Sequence, residues 1–430
     1  VFRYNINKIG NCSSIIVLCL YLHRGPKVTL YKFITGFRLL NHLNTINKNT
    51  LTFNDLYLVI GNESCDLDSA VSAIVYANFL NWQYNKIKCK VCTRNHRSDN
   101  TITKDDIFVP ILNVDRNDFA LKTEVAYYLR EKGICDSILV FRDDHDLKQL
   151  AANPNTKVVL VDHHVLANKD KFLAPYVTEI IDHRPIDNSA WCYKDDTRST
   201  IAIVGSCATL VAQRIKDLGA LVAKDVDFFI AYPVCSEMLH ATIILDTVNF
   251  SKEVDKATPH DEEIILFLES LLKPADYKTE RKRELDTLVA ARCDVSKLNA
   301  AQLLKKDVKV VGDVFIPSFP ILVKEFLNRP EALKAVSEAL TQSSCRVALL
   351  LGMDLTHGLQ RDTALYSPTE PQRAVLLSKH LENLTSPSLG LSPELLTGAM
   401  DCSYYWQLNL SASRKQYIPA VTDFTVNYNK

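Results

Sequence analysis

From Leu56 onward, short apolar runs alternate with helix-spaced segments, and the runs end on polar or acidic residues. "LYLVIGN" (56–62) reads as a strand, and "SAVSAIVYANFLNW" (69–82) follows with the apolar spacing and leading serine of a helix. "IFVPILN" (107–113), "SILVFRD" (137–143) and "KVVLVDHH" (157–164) read as further strands, and "LKTEVAYYLREKG" (121–133) as a helix stopped by Gly133. This alternation leaves few folds open. Successive parallel strands need crossover connections, so the chain predicts an α/β protein with a mainly parallel sheet flanked by helices. In such sheets ligands bind beyond the carboxyl ends of the strands. The acidic clusters fall there: "CDLDS" after the first run, "VDHH" at the end of another, and "IIDHR" after the run from Val177. A further Asp closes "ATIILDTVNF" (241–250), which periodicity alone leaves open between strand and buried helix.

A chain of 430 residues with 47% hydrophobic content has material for two cores. After Phe250 the composition turns to "SKEVDKATPHDEE", and beyond Leu272 to the charged "KPADYKTERKRELDTLVAARC", which marks an interdomain connection. The expected division is a larger N-terminal domain over 29–285 and a smaller C-terminal α/β domain over 286–430, with 1–28 an extension outside both. A cytoplasmic location is expected, with a mitochondrial one as the alternative if the first fifty residues, which hold seven Lys or Arg and no acid, are a transit peptide. "IIVLCLYL" (15–22) is too short to span a bilayer, and "LYKFITGFRLLNHL" (30–43) has helical spacing. With 50 basic and 50 acidic residues, a whole-surface attraction to nucleic acid or membrane is excluded, and any anion binding must be local. Twelve irregularly spaced cysteines fit free thiols in a reducing compartment. The one close pair, Cys89 and Cys92, lacks partners for zinc and reads as two cysteines on a strand.

Asp66 and Asp68, two apart in a loop, are placed to reach different metal ions, with Asp162 bridging. Such a two-metal site activates water and clamps a phosphoryl group. An Asp-x-Asp after a strand is also a common solvated turn, but four acidic loops at expected strand ends make a stronger pattern. "GNESCDLDS", "LVDHH", "IIDHR" and "ILDTVNF" together resemble, in order and spacing, the four motifs of the DHH phosphoesterase superfamily, and most closely its prune and exopolyphosphatase branch. The resemblance spans roughly residues 55–430 and includes "SASRKQYIP" (411–419), similar to the superfamily's Ser-Arg-Lys-Gln element, and "KKDVKVV" (305–311), similar to its Asp-x-Lys element.

That resemblance implies a ligand to one metal at Asp66, a ligand to the other at Asp68, a bridge at Asp162, and His183 and Asp246 completing the second ion's shell. The metals it implies are two divalent ions, Mg²⁺ or Mn²⁺, with Co²⁺ as a further option. Asn62 and Arg184 stand where pyrophosphatase members carry histidines. Asn62 would offer amide oxygen to a metal and favour a harder ion, while Arg184 would anchor phosphate with a charge that never titrates. The alternative for Arg184 is a salt bridge to a nearby Asp. His163 is expected to support the metal ligands and His164 to be structural. His240 is balanced between the metals and the core, and "VGSCATLVAQRI" (204–215) between a phosphate-binding helix start and an ordinary cap. Lys309, Arg414 and Lys415 would bind substrate, with the active site in the interdomain cleft. The implied activity is exopolyphosphatase hydrolysis of short inorganic polyphosphate by metal-activated water. Inorganic pyrophosphatase, nucleotide phosphodiesterase and a protein-interaction scaffold are the alternatives, and prune-like proteins make protein partners conceivable beside polyphosphate or pyrophosphate.

Overall fold

A computed structural model describes residues 53–94, 105–222, 227–354, 358–395 and 402–428; the expected helix at 30–43 and the segment 1–28 lie outside them. The chain divides into two compact units, Val1–Ala291 and Arg292–Lys430. The charged stretch expected to be a connection is instead helical, Tyr277–Cys293, and the units part near its C-terminal end.

The first unit is built on five parallel strands: β1 (Phe53–Ile60), β2 (Asp105–Ile111), β3 (Thr156–Val161), β4 (Val177–Asp182) and β5 (Arg198–Ile201). Their spatial order is β2-β1-β3-β4-β5, which places a topological switch point between β1 and β3. The helices that matter for the site are α1 (Leu67–Arg94), α2 (Thr123–Glu131), α3 (Cys207–Val222), α4 (Pro233–Asp246) and α5 (Pro259–Leu272). Residues 69–80 of α1 are buried on every side, because the helix lies between the sheet and the α3 and α4 helices. Its Tyr76 hydroxyl donates to Glu179 on β4 at 2.9 Å.

Two sequence expectations resolve differently, and one left open is decided. "SILVFRD" is no strand of the sheet: Asp136–Ile138 forms a 3-10 turn, and Phe141 makes a single parallel bridge to Leu112. The acidic run is the cause. Asp144 accepts from the Phe141 N–H at 2.8 Å and pairs with Arg116 at 2.6 Å, which turns the chain after one bridging residue. "ATIILD" is the end of α4, buried all round from Cys235 to Leu245 apart from Glu237. Cys89 and Cys92 fall in the last turns of α1 rather than on a strand.

In the second unit a mixed six-stranded sheet runs β10-β11-β9-β8-β7-β6, with β6 (Val308–Val311), β7 (Val314–Phe319), β8 (Val347–Asp354), β9 (Gln360–Tyr366), β10 (Leu391–Glu394) and β11 (Cys402–Gln407). Only the β7–β8 pair is parallel. The β6–β7 hairpin turns at Gly312, whose φ of 58° suits glycine. A final helix, α6 (Arg414–Tyr428), buries Tyr417, Val421 and Phe424 in this unit's core. Among the described residues no helix is long and apolar enough to cross a membrane.

Candidate metal centre and anion-binding cavity

The adjacent strands β1, β3 and β4 end side by side, and the loops after them bring three potential ligands together. One ligand atom from each of Asp68, Asp162 and His183 lies within 4.8 Å of the others. His183 Nε2 stands 3.2 Å from Asp162 Oδ1 and 3.9 Å from Asp68 Oδ2. The other ring nitrogen, Nδ1, donates to the Val204 carbonyl at 3.0 Å, so Nε2 is the atom presented to the acids. Burial pulls the His183 pKa down, but the hydrogen bond to Asp162 and the charge of Asp68 outweigh it and raise the group to about 9. Asp162 is pushed up to about 7 by burial and by Asp68, against the pull of His183. Asp246, at the last turn of α4, is also raised by burial and by Asp68, although Lys256 stands 3.8 Å away. Buried carboxylates that raise one another's proton affinity form a site short of positive charge. Two carboxylates and an imidazole with a fixed tautomer suit a divalent cation.

Each acid is positioned by backbone. Asp68 is 3% exposed, and its carboxylate accepts from the Cys207 and Ala208 N–H groups, at 2.7 and 2.8 Å, at the start of α3. The expected choice at "VGSCATLVAQRI" is thereby settled: two N–H groups of that helix start are committed to Asp68 rather than to phosphate. Asp162 adopts the left-handed φ of 64°, a conformation that costs a non-glycine residue about 1–3 kcal/mol and clusters at functional sites. Its N–H donates to the Ile181 carbonyl at 2.8 Å, and Asn62 Nδ2 donates to its carbonyl at 3.2 Å and also to its carboxylate. Asn62 therefore departs from the expected amide-oxygen ligand. Its Oδ1 accepts from the Ser64 N–H at 2.8 Å and from the Ser64 hydroxyl, so the amide is fixed with its donor toward Asp162. Asp66 caps α1, accepting from the Ser69 N–H at 3.1 Å, and reaches Asp162 through its charge rather than as part of the three-residue cluster.

The two Asp-His pairs separate by role. His164 is locked, with Nδ1 on Asp182 at 2.5 Å and Nε2 accepting from the Asp187 N–H at 2.9 Å. Asp182 also accepts from the His183 N–H at 2.7 Å, so the second copy's aspartate orients both histidines. His163 is buried with Nδ1 on the Val161 carbonyl at 3.0 Å. Arg184 lies at the rim, 53% exposed, with Nη2 4.0 Å from Asp162 Oδ1. His240 is not in the Asp68–Asp162–His183 cluster: its ring nitrogens lie 3.2 Å from Glu269 and 3.1 Å from Glu284, which makes it a satisfied core histidine.

In the second unit, Lys309, Arg414 and Lys415 line one cavity of about 560 Å³. The Ser-Arg-Lys-Gln element is a helix start: the Ser413 N–H donates to Gln416 Oε1 at 2.7 Å, and Arg414 and Lys415 open α6. Cations in a first helical turn face the positive end of the dipole, so local stability does not explain them. Arg414 pairs with Asp307 at 2.7 Å, joining the Asp-x-Lys element to the Ser-Arg-Lys-Gln element.

The model of the DHH family's N-terminal domain matches residues 57–240, and that of the DHHA2 domain matches residues 286–424. "Exopolyphosphatase PRUNE1" of Mus musculus is 33% identical over 374 residues, 86% of this chain and 75% of the relative. The chain belongs to the prune branch of the DHH phosphoesterase superfamily. Within that family it is also similar to the "Putative exopolyphosphatase" of Schizosaccharomyces pombe, 28% identical over 378 residues, 85% of this chain and 90% of the relative. "Probable manganese-dependent inorganic pyrophosphatase" of Thermotoga maritima is 25% identical over 252 residues, 54% of this chain and 40% of the relative.

Several residues of this DHH chain escaped the sequence reading. Val204 sets the His183 tautomer and the Cys207 and Ala208 amides seat Asp68, all through backbone atoms that leave no trace in residue identity. Asp307 was legible only as part of Asp-x-Lys, while its ion pair depends on the fold.

Proposed function

We propose that this protein is a metal-dependent phosphohydrolase that releases terminal phosphate from short inorganic polyphosphate. The observation that carries the reading is the buried Asp68–Asp162–His183 cluster, a ligand set with an excess of acidic groups at the carboxyl ends of β1, β3 and β4. The names of the mouse and fission-yeast relatives and of the manganese-dependent Thermotoga relative support a divalent-metal phosphohydrolase. A divalent cation held there supplies Lewis acidity, lowering the pKa of a water and drawing charge from a phosphoryl oxygen. Asp68, Asp162 and His183 would hold such a cation, and Asp66 and Asp246 would be the further carboxylates available to a second one. Carboxylates with a single imidazole fit Mg²⁺ or Mn²⁺, with Co²⁺ a further option.

The chain's own groups do the rest. Asn62, rather than ligating, holds the Asp162 carboxylate by its amide N–H, and the left-handed backbone turns that carboxylate toward His183. Arg184, exposed at the rim, is assigned to the phosphoryl oxygens, which its planar fork can grip in two places as negative charge grows. Lys309, Arg414 and Lys415 are assigned to the remaining phosphates of the chain.

The test is phosphate release from pyrophosphate, tripolyphosphate, tetrapolyphosphate, long polyphosphate and single-stranded DNA, with Mg²⁺, Mn²⁺ or Co²⁺, beside an Asp162→Asn control. The expected result is metal-dependent release from the short polyphosphates that the substitution abolishes. Release from pyrophosphate alone points instead to a pyrophosphatase. Cleavage of DNA alone sinks the polyphosphate reading, and no hydrolysis of any substrate favours the scaffold.

A further inference from the structure

The second unit's cavity holds a cation that neither sequence element contains. Arg361, near the start of β9, lines the same cavity as Lys309, Arg414 and Lys415. Its Nε donates to the Leu410 carbonyl at 3.0 Å, and Leu410 lies three residues before Ser413, the residue that starts the Ser-Arg-Lys-Gln helix. Arg361 is therefore tied to the loop that delivers Arg414 and Lys415. Among the described residues its terminal nitrogens form no ion pair, and neither do Lys309 Nζ and Lys415 Nζ; only Arg414 of these four is neutralised, by Asp307.

The one acid beside Arg361 in sequence is already occupied. Asp362 is 1% exposed and accepts from the Val323 and Lys324 N–H groups, at 2.8 and 3.0 Å, and from the Tyr404 hydroxyl at 3.0 Å. Gly352 makes this possible, since a Cβ there would stand 2.0 Å from Asp362 Oδ1 and 2.4 Å from Val323 N. The carboxylate is turned into the sheet wall, and the neighbouring guanidinium is left for the cavity. Three unneutralised cations in a cavity of about 560 Å³ suit a ligand with several negative charges, such as a polyphosphate, and Arg361 adds a planar fork to the two lysines.

We propose that Arg361 is a specificity-determining residue of this cavity that grips phosphate beside Lys309 and Lys415 and favours tri- and longer polyphosphates over pyrophosphate. The Nε bond to Leu410 orients the guanidinium, and its outer edge takes a phosphate in a bidentate grip. This inference rests on the polyphosphate reading above, and its test separates the two.

The experiment uses the full chain with Arg361→Gln and Arg361→Lys. Phosphate release is measured with pyrophosphate, tripolyphosphate and tetrapolyphosphate in one metal, and inorganic tripolyphosphate binding is measured by calorimetry in an Asp162→Asn background. The expected result for Arg361→Gln is a rise in KM of about tenfold for tri- and tetrapolyphosphate, the effect of one lost charged hydrogen bond, with kcat and the pyrophosphate KM unchanged. Tripolyphosphate affinity should fall by a similar factor, and Arg361→Lys should recover part of both. An equal loss on all three substrates, or a lowered melting temperature matching the loss of activity, overturns the proposal in favour of a purely structural tie to Leu410. Unchanged KM and unchanged tripolyphosphate affinity overturn it outright. Arg361-dependent tripolyphosphate binding in a protein that hydrolyses none of the substrates upholds the ligand assignment and removes the polyphosphatase reading alone.

Discussion

The acid cluster at the ends of β1, β3 and β4 and the cavity of the second unit are electrostatic opposites. In the first, Asp68, Asp162 and Asp246 crowd together until burial and mutual repulsion push Asp162 up to about 7 and Asp246 upward as well. In the second, Lys309, Arg361 and Lys415 line one space without an ion-pair partner among the described residues. Each unit satisfies its structural charges carefully. Glu179, 1% exposed, takes Arg198, Arg214 and the Tyr76 hydroxyl, and Asp313 takes both Arg346 and Arg373. The acid cluster and the cavity are thus two concentrations of charge of opposite sign among the described residues, the arrangement expected if a cation completes one and a polyanion the other.

The sharpest way to break the contrast is to neutralise the centre of the acid cluster. Asp162→Asn should lower phosphate release by at least about a thousandfold, since it removes an assigned ligand while leaving the fold intact. Asparagine tolerates the left-handed backbone that Asp162 adopts at φ 64°, so circular dichroism and melting temperature should stay near the wild type. A variant that keeps most of its activity would remove Asp162 from the mechanism.

On the cationic side, Lys415→Ala should reduce kcat/KM for tripolyphosphate by roughly ten- to a hundredfold, the worth of one charge-assisted contact. The effect should weaken as salt is raised in the assay of the wild type, because exposed charges are screened. An unchanged kcat/KM would mean that the cavity is not the polyanion's site.

The wall between the buried Asp362 and the cavity can be probed without touching a cation. Gly352→Ala places a Cβ against Asp362 and the Val323 amide, and overpacking of this kind costs about 1–3 kcal/mol. Chemical denaturation should show that loss, whereas metal binding to the acid cluster should not change.

The last effect depends on pH. In metal-free protein Asp162 is raised from 3.8 to about 7, so its cost to the fold grows as it ionises between those values. His183 is raised from 6.5 to about 9, so its stabilisation is complete below pH 6.5 and is lost as pH rises through 9. Both act in one direction. Melting temperature in chelator should therefore fall between pH 6.5 and pH 9, and saturating Mn²⁺ should flatten the slope. A metal-free melting temperature that rises over this range would contradict the charge-deficit description.

Much of this contrast was legible in residue order. The acidic loops stood at the ends of apolar runs, and α/β alternation with carboxyl-end chemistry follows from that pattern alone. The strands β1, β2 and β3 were readable because their apolar runs are uninterrupted. "SILVFRD" misled because its partner is a single bridge, and an Arg116–Asp144 pair far apart in sequence decides where the chain turns. The role of Asn62 was hidden for a related reason: which end of an amide faces a site depends on Ser64 and on Asp162, one close in sequence and the other distant. Arg361 was missed because its significance lies in what it lacks, an acidic partner, and sequence does not display vacancies of charge.

Asn62 and Asp162 are separated by 100 residues, yet they touch directly. No local segment of the chain can assemble the acid cluster, and its parts meet only when β1 and β3, strands far apart in order, zip into one parallel sheet. Parallel pairing over such distances is slow because loop-closure entropy is lost before contacts reward it. A cation can therefore meet the assembled ligand set only where this long-range pairing has formed, so any metal bound there would secure the finished sheet.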